Sequence, residues 1–334
     1  MFWRPPLRTF LSLAILIQAA SSASTTPADE AGTVRFEEEP GRVVVFQGKG
    51  AVATYVYADP QTPRPYFTAL KAPSGTPVTR NHPPQAGDRD DHPLMHPGLW
   101  LAFGDLNSAD SWRLKARVEH ETFVSSPTPA PAVADGDREK QAEGAGFTVR
   151  NRYLSADGKT ALCREVTRYR FLPRPAGLLI LMETRIEAEH GPLSFGEQEE
   201  MGLGVRVATP IAVASGRGGR LLDSEGRRNE KEIWGKTAAW CDYAGPTAAG
   251  WTGVALFAAR RNPRPSWWHV RDYGVFVANG FGPRSAAEPG TPARLEISRG
   301  KTLQLTYGVF IHESPREADV DLAREYDAFE ALLE

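Results

Sequence analysis

Phe147-Thr148-Val149-Arg150-Asn151-Arg152-Tyr153-Leu154 and Leu162-Cys163-Arg164-Glu165-Val166-Thr167-Arg168-Tyr169-Arg170-Phe171 lie on either side of Asp157-Gly158. Two strand-length runs about an Asp-Gly turn read as a β-hairpin. The same pattern recurs outward from it. Arg42 to Gln47, rich in Val and Phe, and the alternating run Ala51 to Tyr57 are separated by the turn Gly48-Lys49-Gly50. Leu178 to Glu187 opens as a continuous apolar run and ends polar, as a largely buried strand does. Arg294 to Ser298 and Leu303 to Phe310 flank Arg299-Gly300 and predict another hairpin. Short runs at regular spacing with few helical periods give an all-β fold class, an antiparallel β-sandwich or barrel.

One helix is expected, at the C-terminus. Ser314 is placed to cap it, Pro315 suits its first turn and Glu317 completes a capping box. Val320, Leu322, Ala323, Tyr326 and Phe329 then form its apolar stripe. Residues 125–146, rich in Pro, Ala and charge, read as a surface insertion. At the other end, Arg4 and Arg8 precede the apolar run Phe10 to Ile17 and the small residues Ala19 to Ser24. That order reads as a signal peptide over residues 1–24, followed by a disordered leader over 25–32 and one β-sandwich domain over 33–334. The expected location is secreted or periplasmic. The apolar run is too short to span a bilayer, and no later segment is long enough. Cys163 and Cys241 allow one disulfide in an oxidising compartment, but two small buried thiols are expected. The net charge is −2 with no long run of either sign, so nothing calls for nucleic acid or an anionic membrane as partner. A Gly-rich phosphate loop before a helix, a Cys-x-x-Cys pair and a Gly-x-Ser-x-Gly elbow are all missing from the sequence.

Chemistry concentrates in three places. Asp88, Asp90, Asp91, His92 and His96 precede Gly98-Leu99-Trp100; Pro93 and Pro97 each follow a His, so this is a shaped loop rather than a helix. Two His beside carboxylates suit a transition metal, proton donation to a polar ligand, or simple bonding to backbone carbonyls. Glu197, Gln198, Glu199 and Glu200 lead into the run Leu203 to Ala208, and Glu199 or Glu200 is placed to act as a base if it faces a cleft. In Trp267-Trp268-His269-Val270-Arg271-Asp272-Tyr273, a strand puts Trp267, His269 and Arg271 on one face and Trp268, Val270 and Asp272 on the other. An aromatic platform with an imidazole and a guanidinium suits a sugar or a carboxylated ligand.

Pro77-Val78-Thr79-Arg80, Asp91-His92, Met95-His96-Pro97-Gly98 and Trp100-Leu101-Ala102-Phe103-Gly104-Asp105 form one ordered series with Glu199 to Ala208, Trp234-Gly235-Lys236, Trp240-Cys241-Asp242-Tyr243 and Trp267 to Gly274. The series resembles the signature of bacterial proteins labelled methane oxygenase PmoA. It runs from about Thr33 to His312, with one departure at Gly280, where the family has Pro. A membrane oxygenase subunit needs spanning segments that this chain lacks, so that chemistry is not expected. The family resembles the galactose-mutarotase-like supersandwich, which implies a concave sheet face that holds a carbohydrate. On this resemblance His92, His96, His269 and Glu200 are the catalytic candidates. Arg80, Trp100, Asp105, Lys236, Trp240, Asp242, Trp267, Arg271, Asp272 and Tyr273 are the substrate-binding candidates. The expectation is acid–base work on a sugar or glycoside with no cofactor. The alternatives are a non-catalytic carbohydrate-binding protein and a metalloprotein using His92 and His96 with Asp91 or His269.

Overall fold

The computed structural model describes residues 1–2, 33–130, 144–282 and 294–334. The expected signal peptide beyond its first two residues, the expected leader, and residues 131–143 of the expected insertion lie outside the described residues. Two eight-stranded antiparallel sheets face each other. The first runs in the order β1 (Val34–Glu39), β2 (Arg42–Gln47), β3 (Gly50–Val56), β4 (Tyr66–Thr68), β5 (Leu99–Ala102), β11 (Gly202–Arg206), β16 (Val275–Asn279), β15 (Trp267–Arg271). The second runs β12 (Arg220–Asp223), β13 (Trp240–Thr247), β14 (Gly250–Ala258), β18 (Thr302–Ser314), β9 (Gly177–Glu187), β8 (Ala161–Arg174), β7 (Ala145–Leu154), β6 (Val118–Thr128). A small ribbon pairs β10 (Leu193–Phe195) with β17 (Leu295–Ile297). This is the antiparallel β-sandwich expected from the strand spacing.

Alternation builds the core. Along β7, Ala145, Phe147, Val149, Asn151 and Tyr153 are buried between the sheets. In β9 both faces are apolar at first. Leu178, Ile180 and Met182 enter the main core, while Leu179 and Leu181 meet Leu322, Tyr326 and Phe329 of the C-terminal helix α2 (Leu322–Ala331) on the outer face. The helix covers the first half of the strand, so the sequence turns polar where that cover ends.

Three expectations are corrected. The helix begins at Leu322, because Ser314 is drawn into β18 opposite Trp251 and Glu317 is held by Arg220. Its cap is Asp321, whose side chain accepts from the Arg324 N–H at 3.0 Å. Asp321→Ala is expected to cost about 1 kcal/mol in denaturant unfolding; an unchanged midpoint would show that packing alone holds the helix. Arg299-Gly300 does form a turn, with Lys301 N–H donating to Ser298 O at 3.0 Å, yet its flanking strands do not pair. β17 joins β10, while β18 runs between β9 and β14. The insertion is shorter than expected, since Ser125 to Thr128 belong to β6, and Ala145 and Gly146 to β7. Cys163 and Cys241 are both buried and unbonded, and burial pushes both thiols up.

Candidate functional site

Leu203 and Val205 of β11 point into the core, so Gly202, Gly204 and Arg206 face the other way, onto the outer face of the first sheet. Register carries that face across four strands. Gly204 stands opposite Trp100 and Val277, and Val277 opposite His269. Arg206 stands opposite Val275, and Val275 opposite Arg271. The expected sharing of a face by Trp267, His269 and Arg271 follows, with Trp268 and Val270 in the core behind them. Gly204 is glycine for a local reason: a Cβ there would sit 2.7 Å from the Trp100 ring.

One flank is the loop carrying His92 and His96. The His96 ring stacks on Trp100 with centroids 5.0 Å apart, and His92 meets His96 edge-on at 4.9 Å. Trp112 packs edge-on against Trp100 at 5.2 Å. His92 is exposed and takes a left-handed backbone, φ 48°, at a β-carbon-bearing residue. His96 is 2% exposed, and burial, with His92 and Arg206 adding to it, pushes its pKa far down. The buried Nδ1 of His96 and the indole nitrogens of Trp100, Trp112 and Trp267 have no hydrogen-bond partner. Beneath the loop, Arg80 and Arg206 share Asp91, and Arg80 donates to the Arg89 and Asp91 carbonyls at 2.7 Å each.

The opposite flank centres on His269, 3% exposed. Trp234 Nε1 donates to His269 Nδ1 at 3.4 Å, which leaves the imidazole proton on Nε2. Burial, with Arg271 beside it, pushes the His269 pKa down to about 3, so the ring is neutral at ordinary pH. Glu199 Oε2 lies 3.8 Å from His269 Nδ1 and 3.7 Å from Arg271. Glu230 bonds Arg271 at 3.2 Å. Trp234 is 39% exposed, with Trp267 edge-on at 5.2 Å and Arg271 5.5 Å from its ring. Asn279 Nδ2 donates to the carbonyls of Gln198 and Glu199, fixing the loop from which Glu199 reaches in. Between the flanks stands Tyr273, its ring 4.8 Å from the Arg206 guanidinium and 4.9 Å from that of Arg89. Burial raises its phenol, and the charges of Arg206, Asp91, Arg271 and Glu200 all reach it.

The structure therefore gathers Arg80, His92, His96, Trp100, Trp267, His269, Arg271 and Tyr273 on or beside one sheet face. It places the other candidates differently. Trp240 and Asp242 belong to the second sheet. Trp240 packs among the residues beneath α2, and Asp242 is fully buried against His312 (2.8 Å) and Arg220 (3.2 Å). Asp105 binds Arg294 at 2.9 Å near the small ribbon. Glu200 is paired with Arg113. Asp272 turns toward the short helix α1 (Asn229–Ile233), accepting from Glu230 N–H at 2.9 Å while its own N–H donates to Glu230 at 2.9 Å. Lys236 is exposed beside β15 and contributes its carbonyl to Trp268 N–H. Trp112, Trp234, Arg206 and Glu230 are additions. Trp234 and Arg206 both stood in quoted motifs, but the Arg206–Asp91 and Glu230–Arg271 pairings that give Arg206 and Glu230 their place are distant in sequence.

His92 and His96 touch, but His269 is three strands from Trp100, about 14 Å at roughly 4.8 Å per strand, and Asp91 is engaged by two arginines. Among the described residues no three His, Cys, Asp or Glu side chains are grouped to hold a metal ion. Among them too, no helix is long and apolar enough to cross a membrane. A depression of about 880 Å³ opens elsewhere, around Tyr57 and His120. The sheet face is the principal candidate because the exposed Trp234 ring stands there beside His269, Arg271 and the Glu199 carboxylate, an apolar surface with directional polar groups.

This arrangement defines an antiparallel β-sandwich protein with a histidine-, arginine- and tryptophan-bearing sheet face. The chain belongs to a family of unknown function, DUF6807, matched over residues 42–326. No functionally curated protein matches it in sequence. Among solved structures it is similar to the GH36 α-galactosidase AgaA from Geobacillus stearothermophilus in complex with raffinose (12% identity, TM-score 0.40, 78% of this chain and 39% of that one). It is also similar to a galactose mutarotase-like protein from Lactobacillus casei (12%, TM-score 0.34, 84% and 100%) and a putative aldose 1-epimerase from Escherichia coli K12 (9%, TM-score 0.32, 84% and 99%). The chain spans about two-fifths of the length of the α-galactosidases it matches.

Proposed function

We propose that the protein is a secreted or periplasmic carbohydrate-active protein that does acid–base work on a free sugar or glycoside at the outer face of the first sheet. The observation that carries this reading is His269: buried, neutral, its tautomer set by the Trp234 indole, and flanked by the exposed Trp234 ring, Arg271 and the Glu199 carboxylate. A sugar needs an apolar face to stack on and directional groups for its hydroxyls, and those are the groups assembled here. His269 Nε2–H donates to a sugar oxygen. Glu199 takes the role of base that Glu200 was expected to fill, because Arg113 engages Glu200. Trp234 stacks on the ring, braced edge-on by the buried Trp267, and Arg271 orients hydroxyls.

The test is a panel of free aldoses and aryl glycosides, following anomer exchange and hydrolysis by NMR. His269→Ala is expected to lower turnover by 10²-fold or more while the protein remains folded at pH 8, as read by circular dichroism. Full activity in that variant overturns the assignment. Ligand binding without any product converts the reading to a non-catalytic carbohydrate-binding protein.

A further inference from the structure

The second sheet carries a polar row the proposed chemistry does not use. Register sets His120 of β6 opposite Asn151 of β7, and Asn151 opposite Glu165 of β8. Asn151 Nδ2 donates to Glu165 Oε1 at 3.0 Å. Tyr153 OH (2.7 Å) and Thr167 OH (2.9 Å) donate to the same carboxyl, which is buried in the core. With its amide nitrogen committed to Glu165, Asn151 turns Oδ1 toward His120 Nδ1, 3.4 Å away. Nδ1 then carries the imidazole proton, and Nε2 presents a lone pair. Tyr57, arriving from the first sheet, lies 4.6 Å from the His120 ring, and Phe123 lies 4.9 Å from it on another side. The ring is thus held by one hydrogen bond at one edge and by aromatic contacts at its sides.

Tyr57 and His120 line the depression of about 880 Å³, together with Asp59, Lys115, Arg117 and Asp157. Acceptors and donors of opposite charge are interleaved there, so the walls favour neither an anion nor a cation. We propose that this cavity is a second ligand site, distinct from the sheet face. It takes a neutral polyhydroxylated molecule, a sugar unit or short oligosaccharide, with a ligand hydroxyl donating to His120 Nε2. The volume lies in the ordinary range of small-molecule sites.

Calorimetric titration of the whole protein with glucose, galactose, lactose and raffinose tests it. For at least one of them, affinity is expected to survive in His269→Ala and to fall tenfold or more in His120→Ala. Arg117→Ala, at an exposed position, is expected to weaken the same binding several-fold without affecting the fold. Imidazole ¹⁵N NMR at pH 8 is expected to show the His120 proton on Nδ1. Binding that only His269→Ala removes, no binding of any of the four sugars, or a proton on Nε2 each overturns the second site. The first of these outcomes leaves the sheet-face reading standing.

Discussion

Asp91→Ala is expected to lower the unfolding free energy by roughly 3–5 kcal/mol, the cost of removing one partner from a buried ion pair. Two guanidiniums depend on this carboxylate. The side chains of Arg80 and Arg206 are 0% and 1% exposed, and both contact Asp91. Arg89 reaches it from the solvent side at 3.3 Å. Without it, two cations remain buried, faced by backbone carbonyls, the Tyr273 ring and the weaker charges of Asp88 and Asp90. The loss also loosens the loop wrapped around Arg80, which places His92 and His96. Guanidinium unfolding at pH 7 measures the effect. A loss below 1 kcal/mol would show that carbonyl bonds to Arg80 suffice, and would remove the ion pair from the account of the loop.

Stability is expected to fall steeply in mild acid. His96 and His269 both have folded pKa values below the 6.5 of an unfolded imidazole, His269 at about 3. Between pH 6.5 and 3 the unfolded chain therefore binds protons that the folded protein refuses. Their contribution is fully present above pH 6.5 and is lost as pH falls toward the folded values. At pH 4.5 His269 alone removes roughly 2.5 kcal/mol, and His96 adds to the loss in the same sense. Glu165 works in the opposite sense. Burial raises its pKa, so the folded protein takes up its proton first and gains stability as pH falls. Thermal midpoints from pH 8 to pH 4.5 measure the balance. A His96→Gln/His269→Gln variant is expected to show a much flatter profile; an equally steep one would place the acid sensitivity elsewhere.

What the sequence made legible was local. Asp157-Gly158 and Gly48 mark their hairpins because turn geometry is set by adjacent residues. The period of two placed Trp267, His269 and Arg271 together without knowledge of their neighbours. Partners distant in sequence were not legible. Arg299-Gly300 looks like the other turns, but whether β17 continues beside β18 depends on β10, about a hundred residues earlier. Trp240 and Asp242 have the composition of a binding motif, yet alternation reports only which residues share a face, not which sheet they belong to. Asp91 and Arg206 are 115 positions apart and nothing local announces their pairing. Ser314 suits a helix cap in isolation, but pairing with β14 claimed it first.

The strand that carries His269 is also the last strand of its sheet, and its outer edge is not bare. Gly235 N–H donates to Trp268 O at 3.0 Å, Trp268 N–H to Lys236 O at 2.9 Å, and Thr237 bridges Trp267. The segment that lifts the Trp234 indole toward solvent thus occupies the groups that would otherwise template another chain's strand. Shortening or rigidifying that segment to reshape ligand contact would uncover a hydrogen-bonding edge beside an exposed aromatic ring. Solubility and the choice of ligand are tied to the same four residues, and selection on either constrains the other.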